Sequence, residues 1–196
     1  MNRVMKLLLV SDVLFVSGFG LIQPILSIFI KDNLLGGQIY AAGFASMLFL
    51  LTKSCIQLPF SRYVDQHDHV VRWLIVGSFC VAIVPFLYAY ATRVEYIYVA
   101  QVLYGIGAGL AYPTWLGLWM MHLDKHHESY EWSLYSTVMG LSTAATAGIG
   151  AALVQTIGFK PTFFVVGFLS LIGCFILFLL KIKEPKKLRV RVINVK

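Results

Sequence analysis

Two charged residues lie inside apolar stretches of the chain, where a charge is costly unless it has a partner or a function. Asp12 interrupts LLLVSDVLFV, and Lys53 lies within FLLTKSCIQL. With a rise of about 1.5 Å per helical residue, both would lie about 9–11 Å inside the same boundary of neighbouring antiparallel helices, so we expect an ion pair. The pair has two interpretations. It is a static contact that holds the helices together, or a proton-coupling or gating group whose pairing changes during function.

Amide and aromatic side chains accompany these charges at helical spacing on the same apolar segments. With the ion pair formed, they predict a cavity of little net charge, which suits a neutral or amphipathic small molecule better than a polyanion. The alternative is that the aromatic rings only fill space between helices or mark the membrane interface. The residues predicted to line the cavity are Gln23, Gln57, Gln101, Tyr104, Tyr112 and Trp115.

The motif GxGLxxP occurs at residues 18–24 and again 89 residues later, at residues 107–113. Glycine and proline inside an apolar helix either free backbone groups or permit close helix contact. A matched pair of interrupted apolar segments in two halves of a chain is typical of the binding site of a membrane transporter. A purely structural alternative exists for the second segment, where Gly105 and Gly109 fit the small-xxx-small contact pattern. The residues predicted to interrupt the helices are Gly18, Gly20, Pro24, Gly107, Gly109 and Pro113.

The composition is that of an integral membrane protein. Hydrophobic residues make up 59% of the 196 residues and charged residues only 13%, about half the charged share of a soluble domain. The net charge of +7 would suggest nucleic acid for a soluble protein. Here the basic residues flank apolar segments, so we expect membrane lipid and not nucleic acid as the partner. The three cysteines lie in apolar segments and predict neither a disulfide nor a metal site.

Six segments are long and apolar enough to span a membrane. With the N-terminus in the cytoplasm, twelve Lys and Arg residues fall on the inner side and three on the outer side. The positive-inside rule therefore predicts a multi-pass protein of the cell membrane with both termini in the cytoplasm. The predicted spans are residues 7–30, 38–60, 73–92, 96–121, 130–157 and 161–181.

The character of the spans repeats after the third one. The third and sixth spans are apolar all round, which favours lipid exposure, whereas the other four carry polar and small residues. Because the first and fourth spans run in opposite directions, we expect two three-helix repeats of inverted topology, residues 1–92 and 93–181. Residues 182–196 form a basic cytoplasmic tail, which is either a lipid-attracted anchor or a strand that pairs across a dimer axis.

All five histidines lie in the second and fourth connections between spans, both predicted on the cytoplasmic face. They are His67, His69, His122, His126 and His127, with acidic residues among them. His122 and His126 have the i,i+4 spacing of a helical metal site, and histidine also titrates near cytosolic pH. Solvated loop residues explain the same pattern, so no metal site is predicted.

Three stretches together resemble one six-helix half of a major facilitator superfamily transporter. They are GLIQPILS at residues 20–27, QLPFSRYVD at residues 57–65, and the helix that contains Gln101, Tyr104, Gly105 and Gly107. The resemblance implies an all-α membrane fold, and places Asp65 on the aspartate that braces the cytoplasmic gate. As a bare sequence feature, Asp65 is equally well a solvated loop charge. Gln101 stands where proton-linked members often have arginine.

Because the resemblance covers one half of such a transporter, we expect the other half to be a second copy of the chain. Two copies with the same orientation can pair about a C2 axis along the membrane normal, with the cavity between them. The predicted function is secondary-active transport of a small neutral or amphipathic organic solute by alternating access. It requires no cofactor and is compatible with proton coupling. The alternatives are a subunit of a heterodimeric transporter and a non-transporting scaffold; an enzyme is not expected, because no catalytic motif is present.

Overall fold

The computed structural model describes residues 3–67, 70–124 and 126–180. Six α-helices occupy nearly all of these residues, and all six are long and apolar enough to cross a membrane by length and composition. This confirms the predicted all-α fold with six spans. Most helices extend beyond the predicted apolar segments, since a helix continues into flanking polar residues. The helices are α1 Arg3–Asn33, α2 Ile39–Gln66, α3 Val70–Tyr90, α4 Val94–His122, α5 Glu128–Ile157 and α6 Phe159–Phe178.

The six helices form an arc in the order α2, α4, α3, α6, α1, α5, in which each helix packs chiefly on its neighbours in that order. Exchanging α1, α2 and α3 for α4, α5 and α6 reproduces the same order in reverse. The two three-helix repeats are therefore interleaved and related by inversion, as the sequence predicts. Each repeat makes its main helix contacts with the other repeat. The division of the chain between residues 92 and 93 stays a prediction.

The GxGLxxP motifs lie within continuous helices, which corrects the expectation that they interrupt α1 and α4. Pro24 and Pro113 are both inside their helices. An intact helix keeps most backbone groups bonded, which a low-dielectric surrounding strongly favours. The motifs are sites of close helix packing instead.

The motif glycines make symmetry-related contacts. A Cβ atom on Gly18 would meet Ser170 and Val166 of α6, and one on Gly107 would lie 2.7 Å from the Gly77 carbonyl oxygen of α3. In the same way, Gly20 lies against Thr146 of α5, and Gly109 lies against Ile56 of α2. The repeated motif thus encodes the same two helix contacts in each repeat.

Buried apolar side chains form one cluster at each end of the helix bundle. We call the end where α1 begins the N-terminal end, and the other the opposite end. Met5, Leu118 and Trp119 belong to the cluster at the N-terminal end, whereas Ile22, Tyr88 and Phe163 belong to the other cluster. Trp119 is fully buried.

Two connections are tied together at the opposite end of the bundle. The Leu35 N–H donates to the Thr92 carbonyl at 3.1 Å, and the Val94 N–H donates to the Leu35 carbonyl at 3.2 Å. These bonds join the α1–α2 connection to the α3–α4 connection. At the N-terminal end, the α2–α3 connection contains residues 68 and 69, and the α4–α5 connection contains residue 125. These three residues, like the predicted tail at 182–196, lie outside the described residues.

Helices α2 and α5 occupy the two ends of the arc and bury the least surface of the six. Among described residues, nothing lies within 4 Å of a Cβ atom built on Gly43 of α2, or on Gly140 and Gly148 of α5. Helices α3 and α6 lie at the middle of the arc and pack on each other, while each keeps an exposed apolar side, for example at Phe79 and Phe168.

Candidate functional site

A cavity of about 360 Å³ lies on the inner side of the arc and is lined by residues from all six helices. It lies toward the N-terminal end of the bundle, where α1 contributes Ser11 and Asp12 and α6 contributes Leu177. Its wall includes seven of the predicted residues, whose roles stay predictions: Asp12, Gly20, Gln23, Lys53, Tyr104, Tyr112 and Trp115.

Asp12 of α1 accepts a hydrogen bond from the Tyr135 hydroxyl of α5, at an O···O distance of 2.6 Å. That distance is short, as is usual when the acceptor is a carboxylate. The Tyr135 ring is held in turn by indole rings, with centroids 5.0 Å from both Trp115 and Trp119. The tight packing of α1 on α5 therefore places a neutral donor against the half-buried carboxylate.

Lys53 of α2 lies over the ring of Tyr112 of α4, with its Nζ atom 4.9 Å from the ring centroid. This is the geometry of a cation–π contact. The expected ion pair between Asp12 and Lys53, both described residues, is therefore not formed. The reason is the helix arrangement: α1 packs tightly on α5 and α2 packs tightly on α4, whereas α1 and α2 contact each other only weakly.

Three stacked aromatic rings close one end of the cavity. Tyr104 of α4 lies between Phe19 of α1 and Phe49 of α2, with ring centroids 4.7 Å and 4.2 Å away. The interplanar angles of 17° and 23° make both contacts parallel stacks. All three rings also line a second cavity of about 170 Å³ nearer the opposite end, so they separate the two spaces.

Gln101 lines the second cavity and not the first, which corrects its predicted place beside Asp12 and Lys53. Its side chain is only 5% exposed, and its Oε1 atom has no hydrogen-bond partner among the described residues. Gln23 lines both cavities. Helical periodicity correctly places Gln101 on the same face of α4 as Tyr104. However, Gln101 lies one turn beyond the aromatic stack and so faces the second cavity.

Two predicted residues of α2 lie away from both cavities. Gln57 is half-buried one turn beyond Lys53, and Asp65 is exposed near the end of the helix. The gating role of Asp65 remains a prediction from the resemblance.

Tyr135 is the main cavity residue that the sequence reasoning missed. It lies three residues after Trp132, and so one turn further into α5. A tyrosine at that depth, in a helix made mostly of small residues, indicates a hydrogen bond from its hydroxyl to another helix. Phe15, Phe49 and Thr143 were also missed, and they differ from ordinary packing residues only by their position in three dimensions.

The histidine-containing connection after α4 is organised by short-range hydrogen bonds. The backbone N–H of His126 donates to Asp124 at 3.4 Å, and this bond holds the pKa of that carboxyl below its usual range, with a smaller contribution from His127. The Nδ1 atom of His122 lies 2.8 Å from the Leu118 carbonyl oxygen. Across residues 3–67, 70–124 and 126–180, no group of three His, Cys, Asp or Glu side chains is placed to hold a metal ion.

A model of the Major Facilitator Superfamily matches residues 8–194. The chain belongs to this superfamily. The resemblance drawn from the sequence is thereby confirmed, as is the prediction that the chain is not an enzyme, since the superfamily is one of transporters. Six apolar helices and superfamily membership together make it a multi-pass membrane protein.

The chain is similar over nearly its whole length to part of larger proteins. The quinolone resistance protein NorA of Staphylococcus aureus (strain Mu50 / ATCC 700699) is 23% identical over 187 residues, which are 95% of this chain and 47% of NorA. The same values hold for NorA of strain N315. This member of the superfamily therefore spans about half the length of the curated relatives that it matches.

Two solved structures share the fold. The POT family transporter PepTSo superposes with a TM-score of 0.79 at 15% identity, over 91% of this chain and 37% of that protein. An auto inhibited POT family peptide transporter gives a TM-score of 0.77 at 14% identity, with the same coverage. At these identities the likeness establishes the six-helix architecture alone.

Proposed function

We propose that this chain is one half of a secondary-active transporter that moves a small organic solute by alternating access. The observation that carries the proposal is the cavity on the inner side of the arc, with two charges that do not neutralise each other on an otherwise aromatic and apolar wall. Ionisable groups inside a membrane span are costly, and they commonly mark pathways for solutes or protons. Membership of the superfamily supports the same function.

The second half is a second copy of the chain in this proposal. The arc ends at α2 and α5, and the cavity lies between these ends. A C2 axis along the membrane normal would place α2 of one copy against α5 of the other and close the cavity. The exposed face of α5 suits such a contact, because it carries a stripe of small residues four apart, the spacing of close helix association: Ser136, Gly140, Ala144, Gly148 and Ala152.

Both termini are cytoplasmic in this proposal, as the distribution of Lys and Arg predicts. The cavity then lies toward the cytoplasm, and the stack of Phe19, Tyr104 and Phe49 separates it from the outer cavity. Asp12 is the group proposed to take up and release a coupling proton, and its partner changes between Tyr135 and Lys53 as the cavity opens to one side or the other.

Native mass spectrometry of the purified chain in lipid nanodiscs tests the proposal, with bound small molecules released and identified. We expect a dimer that carries an organic solute. A monomer under all lipid and detergent conditions would overturn the homodimeric cavity. The better explanation would then be a different six-helix partner, or a membrane scaffold without transport.

A pair of variants on α4 separates specific binding from adsorption. Ala108 lines the cavity, and Val99 is 67% exposed on the outside of the same helix. Ala108→Trp should release the solute while Val99→Trp keeps it, with the dimer mass unchanged in both. Equal solute retention in the two variants would place the solute outside the cavity.

A further inference from the structure

The cavity wall carries one carboxylate and one ammonium group that are not paired with each other. Asp12 is engaged by the Tyr135 hydroxyl, and Lys53 by the Tyr112 ring. Both partners are neutral, so neither supplies an opposite charge. A buried charge without a counter-ion is destabilising in a low-dielectric surrounding. The cost falls sharply when a ligand supplies the missing opposite charge.

Both groups also retain hydrogen-bonding capacity. An ionised carboxylate accepts about four hydrogen bonds, and Tyr135 supplies one to Asp12. An ammonium group donates three, and within the described part of the chain Lys53 Nζ contacts the Tyr112 ring and no acceptor. Both residues line the same cavity, so these free positions face one shared space.

We propose that the transported solute is a zwitterion, bound with its ammonium group at Asp12 and its carboxylate at Lys53. This inference rests on the proposed transport function and specifies its substrate class. The Asp12 side suits an organic ammonium for a second reason: the rings of Tyr135 and Trp115, 5.0 Å apart, line the cavity beside it and can add cation–π attraction.

Solutes of other charge types fit the wall less well. A cation without an anionic group would leave Lys53 unpaired, and an anion without a cationic group would leave Asp12 unpaired. A neutral solute would leave both charged groups without a counter-ion, which is the least favourable case. The cavity wall that carries the two charges also includes Phe15, Phe19 and Phe49, so the solute should have an apolar part as well as its two charged groups. At about 360 Å³, the cavity suits a molecule at the small end of the usual ligand range.

Capped derivatives of two amino acids provide the test. The probes are 4-(aminomethyl)benzoate, which is rigid, and 6-aminohexanoate, which is flexible. Each is used as the zwitterion, as the methyl ester (cation only), as the N-acetyl derivative (anion only) and with both caps (neutral). Binding to the chain in nanodiscs is measured by calorimetry, and uptake is measured in proteoliposomes. We expect the zwitterion of at least one probe to bind about tenfold more tightly than either singly capped form.

Variants assign each end of the probe to one residue. In Asp12→Asn, the zwitterion should bind no better than the N-acetyl derivative, because the amine has lost its partner. In Lys53→Gln, the zwitterion should bind no better than the methyl ester. Lys160→Gln is a matched control, since Lys160 Nζ also lies 4.9 Å over a tyrosine ring, that of Tyr90, but outside the cavity. Asp32→Asn is the control for the carboxylate, and both controls should behave as the wild type.

The outcomes separate this inference from the proposed function. Equal binding of all four forms of both probes, or no binding of any form, overturns the zwitterion. Uptake of the neutral form with no preference for the zwitterion also overturns it, while transport stands. A zwitterion preference in nanodiscs without uptake in proteoliposomes upholds the site and overturns transport. Thermal melting of each variant shows whether it is folded, and the unchanged binding of the control variants shows that the loss is local.

Discussion

Asp12 shows how a carboxylate within a membrane helix can be held without a counter-ion. Its hydrogen bond from Tyr135 is charge-assisted and short, and the Tyr135 ring is fixed by packing against Trp115 and Trp119. Lys53 is held by the Tyr112 ring on the other side of the cavity. The two contacts lie in helix pairs that are equivalent under the exchange of repeats, since one joins α1 to α5 and the other joins α4 to α2. Each charge is thus bonded within its own helix pair, and both stay available to a ligand.

A double-mutant cycle measures the Asp12–Tyr135 bond. Tyr135→Phe should lower the free energy of unfolding by about 1.5–3 kcal/mol, because the half-buried carboxylate loses its only donor among the described residues. The same change in an Asp12→Asn background should cost clearly less. Thermal melting in detergent reports the difference. Tyr112→Phe is the control in the same cavity. If the two backgrounds lose equal stability, Tyr135 acts through ring packing and not through its hydroxyl.

Proton coupling at Asp12 has a direct readout in the pH dependence of uptake. Asp12→Asn cannot exchange a proton, so uptake into proteoliposomes should become independent of pH, while the wild type responds to a pH gradient. The groups that face this carboxylate are Tyr135 of α5, Tyr104 of α4 and Lys53 of α2. Asp32→Asn, at the opposite end of α1, should keep the wild-type response. An unchanged pH response in Asp12→Asn removes the proposed coupling role.

At the scale of helices, glycine decides how closely the arc is packed. Gly77 of α3 and Gly107 of α4 face each other so closely that a Cβ on either would lie within 2.7 Å of the other's carbonyl oxygen. Backbone atoms cannot move aside as the end of a flexible side chain can. Small residues let the helices approach, and close approach supplies the van der Waals contact that holds membrane helices together.

Alanine at two glycines of α4 tests this packing. Gly107→Ala should lower the unfolding free energy by about 1–3 kcal/mol, since the added methyl group overpacks the contact with α3. Gly117→Ala should be neutral or stabilising, because nothing among the described residues lies within 4 Å of a Cβ there and alanine favours helix over glycine. Thermal melting of both variants in one detergent gives the comparison. Equal effects would show that α3 and α4 adjust without cost.

At the scale of the whole molecule, the arc leaves two helices without partners on one side. α2 and α5 lie at the ends of the arc, and both have faces that a second six-helix unit would cover. The interleaving of the repeats explains why these two helices are equivalent, since each is the second helix of its repeat. Helices α2 and α5 also contribute residues to the cavity wall. A second unit that covered their exposed faces would therefore also close the cavity.

Disulfide cross-linking tests the proposed C2 pairing of α2 with α5. Met47 of α2 and Gly148 of α5 are exposed and lie about equally far from the opposite end of the bundle. Met47→Cys with Gly148→Cys should give a covalent dimer on oxidation in membranes. The background replaces the native Cys55, Cys80 and Cys174.

The control for this cross-link is Phe168→Cys, on an exposed part of α6 at the middle of the arc. It should stay monomeric under the same oxidation. Cross-linking of the control to the same extent, or none in the double variant, would contradict pairing through α2 and α5.

Much of the fold follows from local patterns. The six spans, the inverted repeat and the membrane class were predicted from hydropathy, from the spacing of GxGLxxP and from the similarity of the third and sixth spans. The cavity was predicted in part. Asp12, Lys53, Tyr104, Tyr112 and Trp115 lie on its wall, because helical periodicity places residues on one face whatever the packing partners are. Gln57 and Gln101 have the same periodicity, but periodicity carries no information about where a cavity ends along the helix.

The sequence by itself determined which segments cross the membrane, which residues share a helix face, and that two buried charges need a partner. These properties depend on side-chain hydrophobicity and helix geometry, which are local. Only the tertiary structure decided the partners. Because α1 packs on α5 and α2 on α4, Asp12 meets Tyr135, Lys53 meets Tyr112, and the motif glycines become contacts between continuous helices. Which helices become neighbours depends on the fit of whole surfaces, and no local pattern contains it.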